Sequence, residues 1–206
     1  MRIFQVVTFL FSIAASISSA GAGYVEDCSR GTGDIQIRGC TDYIDSGKYQ
    51  GRPLAIAYAF RGIAYESNGQ YDRAIADYDQ AIGLGGEDAG VYTLRGNAYY
   101  KKGQYGRAIA DFDQTIGLDP NYAFAYSFRG NAYLKTGQHD RAIADYDRAI
   151  QLGVEDAETY YNRGSAYQTK GQYDRAIADF DKAIELNPQY AAPAEALKRL
   201  GKPIQP

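Results

Sequence analysis

A period of 34 residues, written four times, restricts what this chain can fold into more than any other feature of its sequence. Arg-Gly recurs at Arg61-Gly62, Arg95-Gly96, Arg129-Gly130 and Arg163-Gly164, and a tyrosine follows each glycine three residues on (Tyr65, Tyr99, Tyr133, Tyr167). A further glycine (Gly69, Gly103, Gly137, Gly171) and the run RAIAD, from Arg73, Arg107, Arg141 and Arg175, complete each copy. A unit this short cannot bury its own apolar face. Self-similarity at such a spacing therefore means a stacked array.

Within one unit the apolar spacing is helical twice over. Tyr126, Gly130 and Tyr133 stand at i, i+4 and i+7, which is one face of a helix. After Gly137, Ala142, Tyr146, Ala149 and Ile150 share a second face, with Ile143 beside them. Gly130 and Ala142 permit close backbone approach, and Tyr133 and Tyr146 fill the space that remains. Two helices joined by so short a turn must run antiparallel.

The residues now closely resemble the tetratricopeptide repeat (TPR) family. The chain reads Tyr58-Gly62-Tyr65-Ala74-Tyr78-Ala81, Tyr92-Gly96-Tyr99-Ala108-Phe112-Thr115-Pro120, Tyr126-Gly130-Tyr133-Ala142-Tyr146-Ala149 and Tyr160-Gly164-Tyr167-Ala176-Phe180-Ala183-Pro188. Thr115 replaces an alanine of the family pattern, and two repeats lack its closing proline. The likeness runs from Ala55 to Tyr190. It implies an all-α, right-handed superhelical solenoid of antiparallel helix pairs, with units at 55–88, 89–122, 123–156 and 157–190. Asp119-Pro120 and Asn187-Pro188 are expected to stop their helices. Ala191 to Leu200 reads as a capping helix with Leu197 and Leu200 as its apolar stripe, inside a C-terminal segment of 191–206. With no linker long enough to divide it, the mature chain reads as one elongated domain.

Ahead of the repeats, Met1-Arg2, the apolar stretch Ile3 to Ile17 and the small residues up to Ala22 read as a secretory signal peptide over 1–22. The apolar stretch is shorter than the roughly 20 residues a spanning helix needs. Signal and resemblance together imply a bacterial protein exported to the periplasm or beyond, with no stable membrane span after cleavage. Cys28 and Cys40 are the only cysteines. An even count in an exported chain favours a disulfide. Two cysteines with one distant histidine do not make a zinc site, and their spacing is not that of a redox C-x-x-C. Shifted by 38, Asp34–Ile44 overlays Asp72–Ile82, with Cys40 on Tyr78. Residues 23–54 therefore read as a degenerate leading repeat, an N-terminal cap fastened by the disulfide.

Composition argues against several functions. The net charge is −3, with no basic footprint for nucleic acid, and the twenty tyrosines fall largely at the repeat spacing of a core. His139, the only histidine, stands where other copies carry Tyr71, Tyr105 and Tyr173. No catalytic triad, phosphate loop, metal-ligand set or cofactor motif can be assembled. Carboxylates recur in every unit, at Asp77, Asp111, Asp145 and Asp179 and again at Asp79, Asp113, Asp147 and Asp181. A catalytic pair is built once; residues copied in every unit are architecture. The expected class is a non-catalytic protein-interaction scaffold.

The TPR resemblance places a partner segment in a groove lined by the first helices. Carried over position by position, its main residues are Asn97, Tyr100, Lys101, Phe124, Ser127, Asn131, Leu134, Lys135 and Tyr161. Ile56, Ala59, Phe60, Ile63 and Glu66 of the first repeat, Thr93 and Leu94 of the second, Phe128 of the third, and Glu158, Asn162, Ser165 and Gln168 of the fourth complete the lining. The Lys and Asn set that grips a C-terminal carboxylate in part of the family is incomplete, since Ala59 and Ile63 stand in the first repeat. Two other roles share these features: a self-associating or structural component of an envelope assembly, and a glycan-binding accessory of a cell-wall enzyme. One departure from the family is constant. Arg61, Arg95, Arg129 and Arg163 replace a leucine, and Asp77, Asp111, Asp145 and Asp179 replace an apolar or aromatic residue. Opposite charges substituted together predict a ladder of ion pairs.

Overall fold

A computed structural model describes residues 22–85 and 88–201, which form eleven α-helices and, among the described residues, no strand. Residues 1–21, which hold all of the expected signal but Ala22, lie outside them, as do residues 86 and 87 and the last five. The chain divides between Arg107 and Ala108 into two compact units. The first holds α1 (Ala22–Arg30), α2 (Asp34–Asp45), α3 (Gly51–Ser67), α4 (Tyr71–Gly85) and α5 (Ala89–Lys101). The cut falls within α6 (Tyr105–Leu118). The second unit continues with α7 (Ala123–Lys135), α8 (His139–Gln151), α9 (Ala157–Thr169), α10 (Tyr173–Leu186) and α11 (Ala191–Arg199). α6 and α10 end just before the Asp-Pro and Asn-Pro pairs.

Each repeat is an A helix followed by a B helix, and the turn between them is chemically determined. Gly69, Gly103, Gly137 and Gly171 have φ between 71° and 74°, a left-handed conformation that glycine adopts without a Cβ penalty. The chain reversal lets Gln70, Gln104, Gln138 and Gln172 donate their backbone N–H to the carbonyls of Tyr65, Tyr99, Tyr133 and Tyr167 at 2.8–2.9 Å. This is the Schellman closure of a helix C-terminus. At the other end, Asp88 accepts from the backbone N–H of Gly90 and Val91. Asp156 accepts from that of Thr159 at 2.9 Å, as an N-cap should.

Packing follows the small–large alternation. α3 packs on α4, α7 on α8 and α9 on α10, and the A helices of neighbouring repeats touch where α3 meets α5 and α7 meets α9. A Cβ on Gly62 would sit 2.6 Å from the Tyr78 ring, one on Gly130 2.9 Å from Tyr146, and one on Gly164 2.8 Å from Phe180. The A helix can approach that closely only because it presents a hydrogen there. Tyr78, Phe112, Tyr146 and Phe180 are fully buried. In the second unit Leu197 of α11 closes a cluster with Tyr167, Ala176 and Phe180, and Leu200 packs against it.

A disulfide-linked helix pair, α1 and α2, precedes the first repeat. Cys28 on α1 and Cys40 on α2 form a disulfide, buried with Tyr43, Ala57 and Phe60. Two side-chain contacts join this pair to the first repeat. Asn68 donates to Asp34 at 3.3 Å, the counterpart of the Lys102–Asp72 and Lys170–Asp140 ion pairs one repeat apart. Arg61 donates to Thr41 at 3.1 Å, where later repeats present an aspartate. On the chain-entropy account, closing this short loop contributes about 3 kcal/mol.

Candidate functional site

A ladder of forked ion pairs orients the A helices. Arg61 donates Nε and Nη2 to the two oxygens of Asp77 at 2.8 and 2.9 Å. Arg129 does the same to Asp145 at 2.8 and 2.7 Å, and Arg163 to Asp179 at 2.8 and 2.6 Å. The remaining guanidinium nitrogen, Nη1, reaches back one repeat, from Arg129 to Asp113 at 2.6 Å and from Arg163 to Asp147 at 2.7 Å. Arg95 likewise donates to Asp79 at 2.6 Å. The second carboxylate register, which the sequence marks only as repetitive, is thus the link between successive repeats. Its signal is the recurring Asp-x-Asp, whose two acids lie 16 residues after one arginine and 16 before the next.

Each guanidinium is also stacked between tyrosines of its own helix, Arg129 lying 5.6 Å from the ring centre of Tyr126 and 5.8 Å from that of Tyr133. Asp145 is 6 % exposed. Burial pushes its carboxyl up, while the hydrogen bonds from Arg129 pull it back. The bonds to Asp145 raise Arg129 above its already high ordinary value. A two-pronged contact with a group that stays cationic opposes protonation of the buried carboxylate.

With the A helices held this way, the positions carried over for partner binding separate. In the first unit, Asn97 and Tyr100 are half-buried and Lys101 is exposed. Tyr100 packs edge-on against Tyr105. In the second unit, Phe124 and Leu134 are half-buried and Lys135 is exposed, with Phe124 stacked on Phe128 at 6.3 Å. Tyr161 lies against Phe180 and Tyr190, beside the C-terminal cap.

Ser127 does not belong with them. It is 2 % exposed and its hydroxyl is hydrogen-bonded to that of Thr159 at 2.9 Å, so it fastens α7 to α9. Ala59, Phe60, Thr93 and Leu94 are buried as well. Ala59 and Leu94 share one core cluster, and Phe60 lies in that of the disulfide.

The most organised polar feature of the second unit is centred on Asn131. Its Oδ1 accepts from the Tyr146 hydroxyl at 2.7 Å and from Asn162 Nδ2 at 2.9 Å. Three helices, α7, α8 and α9, converge on that oxygen. The arrangement assigns the amide's orientation. Among the described residues nothing accepts from Asn131 Nδ2, and this nitrogen is open to solvent. The first unit solves the equivalent problem differently: the Tyr78 hydroxyl donates to Glu66 Oε2 at 3.0 Å. Asn162 and Glu66 stand on the lining that position-by-position transfer gives, but outside its main residues, and their bonds to Asn131 and Tyr78 are what transfer does not supply. The alternation Tyr78, Phe112, Tyr146, Phe180 is the cue to them, since a buried hydroxyl requires a partner and a phenyl ring does not.

Comparison with known proteins agrees with this geometry. The family model for the tetratricopeptide repeat matches residues 157–190, and that for the TPR repeat matches 62–103, 96–137 and 130–171. The chain belongs to the tetratricopeptide repeat family. A crystal structure of MamA is 26% identical, with a TM-score of 0.71 over 85% of this chain and 98% of its own. YrrB, described as a TPR protein with an unusual peptide-binding site, shares the fold at 20% identity, with a TM-score of 0.67 over 94% of this chain and 90% of its own. The first TPR of Spaghetti (RPAP3), solved bound to an HSP90 peptide, is 25% identical, with a TM-score of 0.57 over 61% of this chain and 99% of its own. No curated protein sequence matches the chain.

Proposed function

We propose that this protein is a non-catalytic scaffold that binds an extended segment of a partner protein on its A-helix faces. The observation that carries the reading is the Asn131 amide. Its oxygen is held by Tyr146 and Asn162, and its nitrogen is offered outward as an oriented donor. A donor fixed before binding loses little freedom when it meets a peptide carbonyl. Asn162 contributes an amide oxygen able to accept a peptide N–H. Phe124 and Leu134 supply half-buried apolar surface beside them, and Lys135 supplies a positive charge that attracts an acidic residue or terminus. In the first unit, Asn97, Tyr100 and Lys101 provide the corresponding surface. The peptide-bound TPR relative supports the class of ligand.

Binding takes place outside the cytoplasm on this reading. The pattern of Met1 to Ala22 and the buried Cys28–Cys40 disulfide support export. Terminal sequencing of the native protein is expected to start at Gly21 or Gly23, and a start at Met1 would contradict export. Binding itself is tested by selecting displayed random peptides on the whole chain with its disulfide intact. Enrichment of a shared motif is expected, weakened in Lys135→Glu at low salt where the motif is acidic. Selection that enriches nothing would contradict the reading.

A further inference from the structure

Glu66 is a charge that the fold does not require. Its Oε2 takes the Tyr78 hydroxyl at 3.0 Å, yet the third repeat satisfies the equivalent tyrosine with a neutral amide, that of Asn131. The second and fourth repeats remove the need altogether by placing Phe112 and Phe180 there. Elsewhere in the chain, carboxylates withdrawn from water are matched by arginine, as Asp77, Asp145 and Asp179 are. Glu66 is half-buried, but no cation among the described residues lies within ion-pairing distance of it. Burial raises its pKa, against the opposing pull of the Tyr78 hydrogen bond and the field of Lys101. Its second oxygen, Oε1, has no partner among the described residues and is open to solvent.

The surroundings of this carboxylate narrow what it would bind. Glu66 occupies the position in α3 that Tyr100 and Leu134 occupy in the next two A helices. Ile63 and Ile56, three and ten residues earlier, lie on the same side of the helix and are half-buried. An aliphatic track ending in a fixed carboxylate with no ion-pair partner complements a side chain with an apolar stem and a cationic head. We infer that Glu66, anchored by Tyr78, is a subsite for a lysine or arginine side chain of the partner segment, with the stem of that side chain laid along Ile63. The cationic head would supply the counter-charge that the fold leaves out. Lys101 carries the same charge as the incoming group, so discrimination depends on Glu66 remaining ionised.

This inference rests on the peptide-binding reading, and one experiment separates the two. Displayed random peptides are selected on the whole wild-type chain and, in parallel, on Glu66→Gln and Glu66→Lys. Glu66→Gln keeps an acceptor for the Tyr78 hydroxyl, and thermal unfolding verifies that each variant is folded. The wild type is expected to enrich a basic residue at one fixed position. Its best peptide should bind Glu66→Gln about tenfold more weakly, and Glu66→Lys should enrich an acidic residue at that position. Enriched peptides with no basic preference, or with one that Glu66→Gln leaves intact, would overturn the subsite and leave the peptide-binding reading standing. A wild type that enriches no peptide would overturn both.

Discussion

Arg129 grips Asp145 with two parallel hydrogen bonds of 2.8 and 2.7 Å, and both side chains are largely out of water. The resemblance to the repeat family implies apolar residues at these two positions. The substitution makes each repeat's helix pair depend on a matched charge, and removing one charge strands the other. Asp145→Ala or Arg129→Leu alone is expected to destabilise the array by about 3–5 kcal/mol, whereas Arg129→Leu with Asp145→Tyr should be neutral or better. A double-mutant cycle by urea denaturation should return a large coupling, because the losses of the two single variants are absent from the double one. Strictly additive single effects would mean the pair carries no mutual energy.

The link between repeats is weaker than the fork within one. Asp113 accepts a single bond from Arg129 and its side chain is 49% exposed. Asp113→Ala should therefore cost no more than about 1 kcal/mol, a loss that shrinks in high salt. A cost equal to that of Asp145→Ala would place the strength of the ladder between repeats.

The cap depends on its cross-link. Cys28→Ser with Cys40→Ser should lower stability by about 3 kcal/mol, and hydrogen exchange should rise first in α1 and α2. Thiol labelling of the native protein without reduction should find no free cysteine. Uniform loss of protection along the chain would show that the cap does not act as a local fastening.

Glu66 makes a pH prediction with a defined sign. Burial raises its folded pKa above the ordinary 4.5, with Tyr78 and Lys101 opposing. The folded state then holds the proton more tightly than the unfolded chain does. The stabilisation from that proton is complete below the ordinary value and is lost as pH rises through the folded one. Glu66→Gln should therefore be more stable than wild type at pH 7, and the gain should fade towards pH 4. Urea midpoints at the two pH values measure it; a gain that grows on acidification would contradict the assignment.

The repeat period is enough to predict the helix pairs, the turn glycines and the contacts of Gly62, Gly130 and Gly164 with their rings, because those features recur with the same spacing. The Arg–Asp fork is legible too, as two coupled departures from one pattern. The Nη1 bonds to Asp79, Asp113 and Asp147 are harder to see, since an exposed repeated aspartate looks the same in sequence whether or not it is bonded. Ser127 shows the limit of transferring positions from the family. A small hydroxyl side chain let α7 and α9 close on each other, and Thr159 completed the contact. The partners of Asn131 lie 15 and 31 residues away on two other helices. Only the hydrogen-bond requirement of a buried tyrosine points to them, and it does not choose between an amide, as at Asn131, and a carboxylate, as at Glu66.

On the proposed function, the outward-facing amide of Asn131 reads a partner's backbone. This recognition is tested most directly by titrating a selected peptide into the isotope-labelled chain and following the side-chain amide signals of Asn131 and Asn162 by NMR. The wild-type protein is the right sample, because Asn131→Ala would strand the Tyr146 hydroxyl and mix stability with binding. The account predicts saturable shifts of the Asn131 Nδ2 signals at the same peptide concentration that shifts the backbone of α7 and α9. Saturation with the Asn131 side-chain signals unmoved, and the shifts gathered on the B helices, would contradict it.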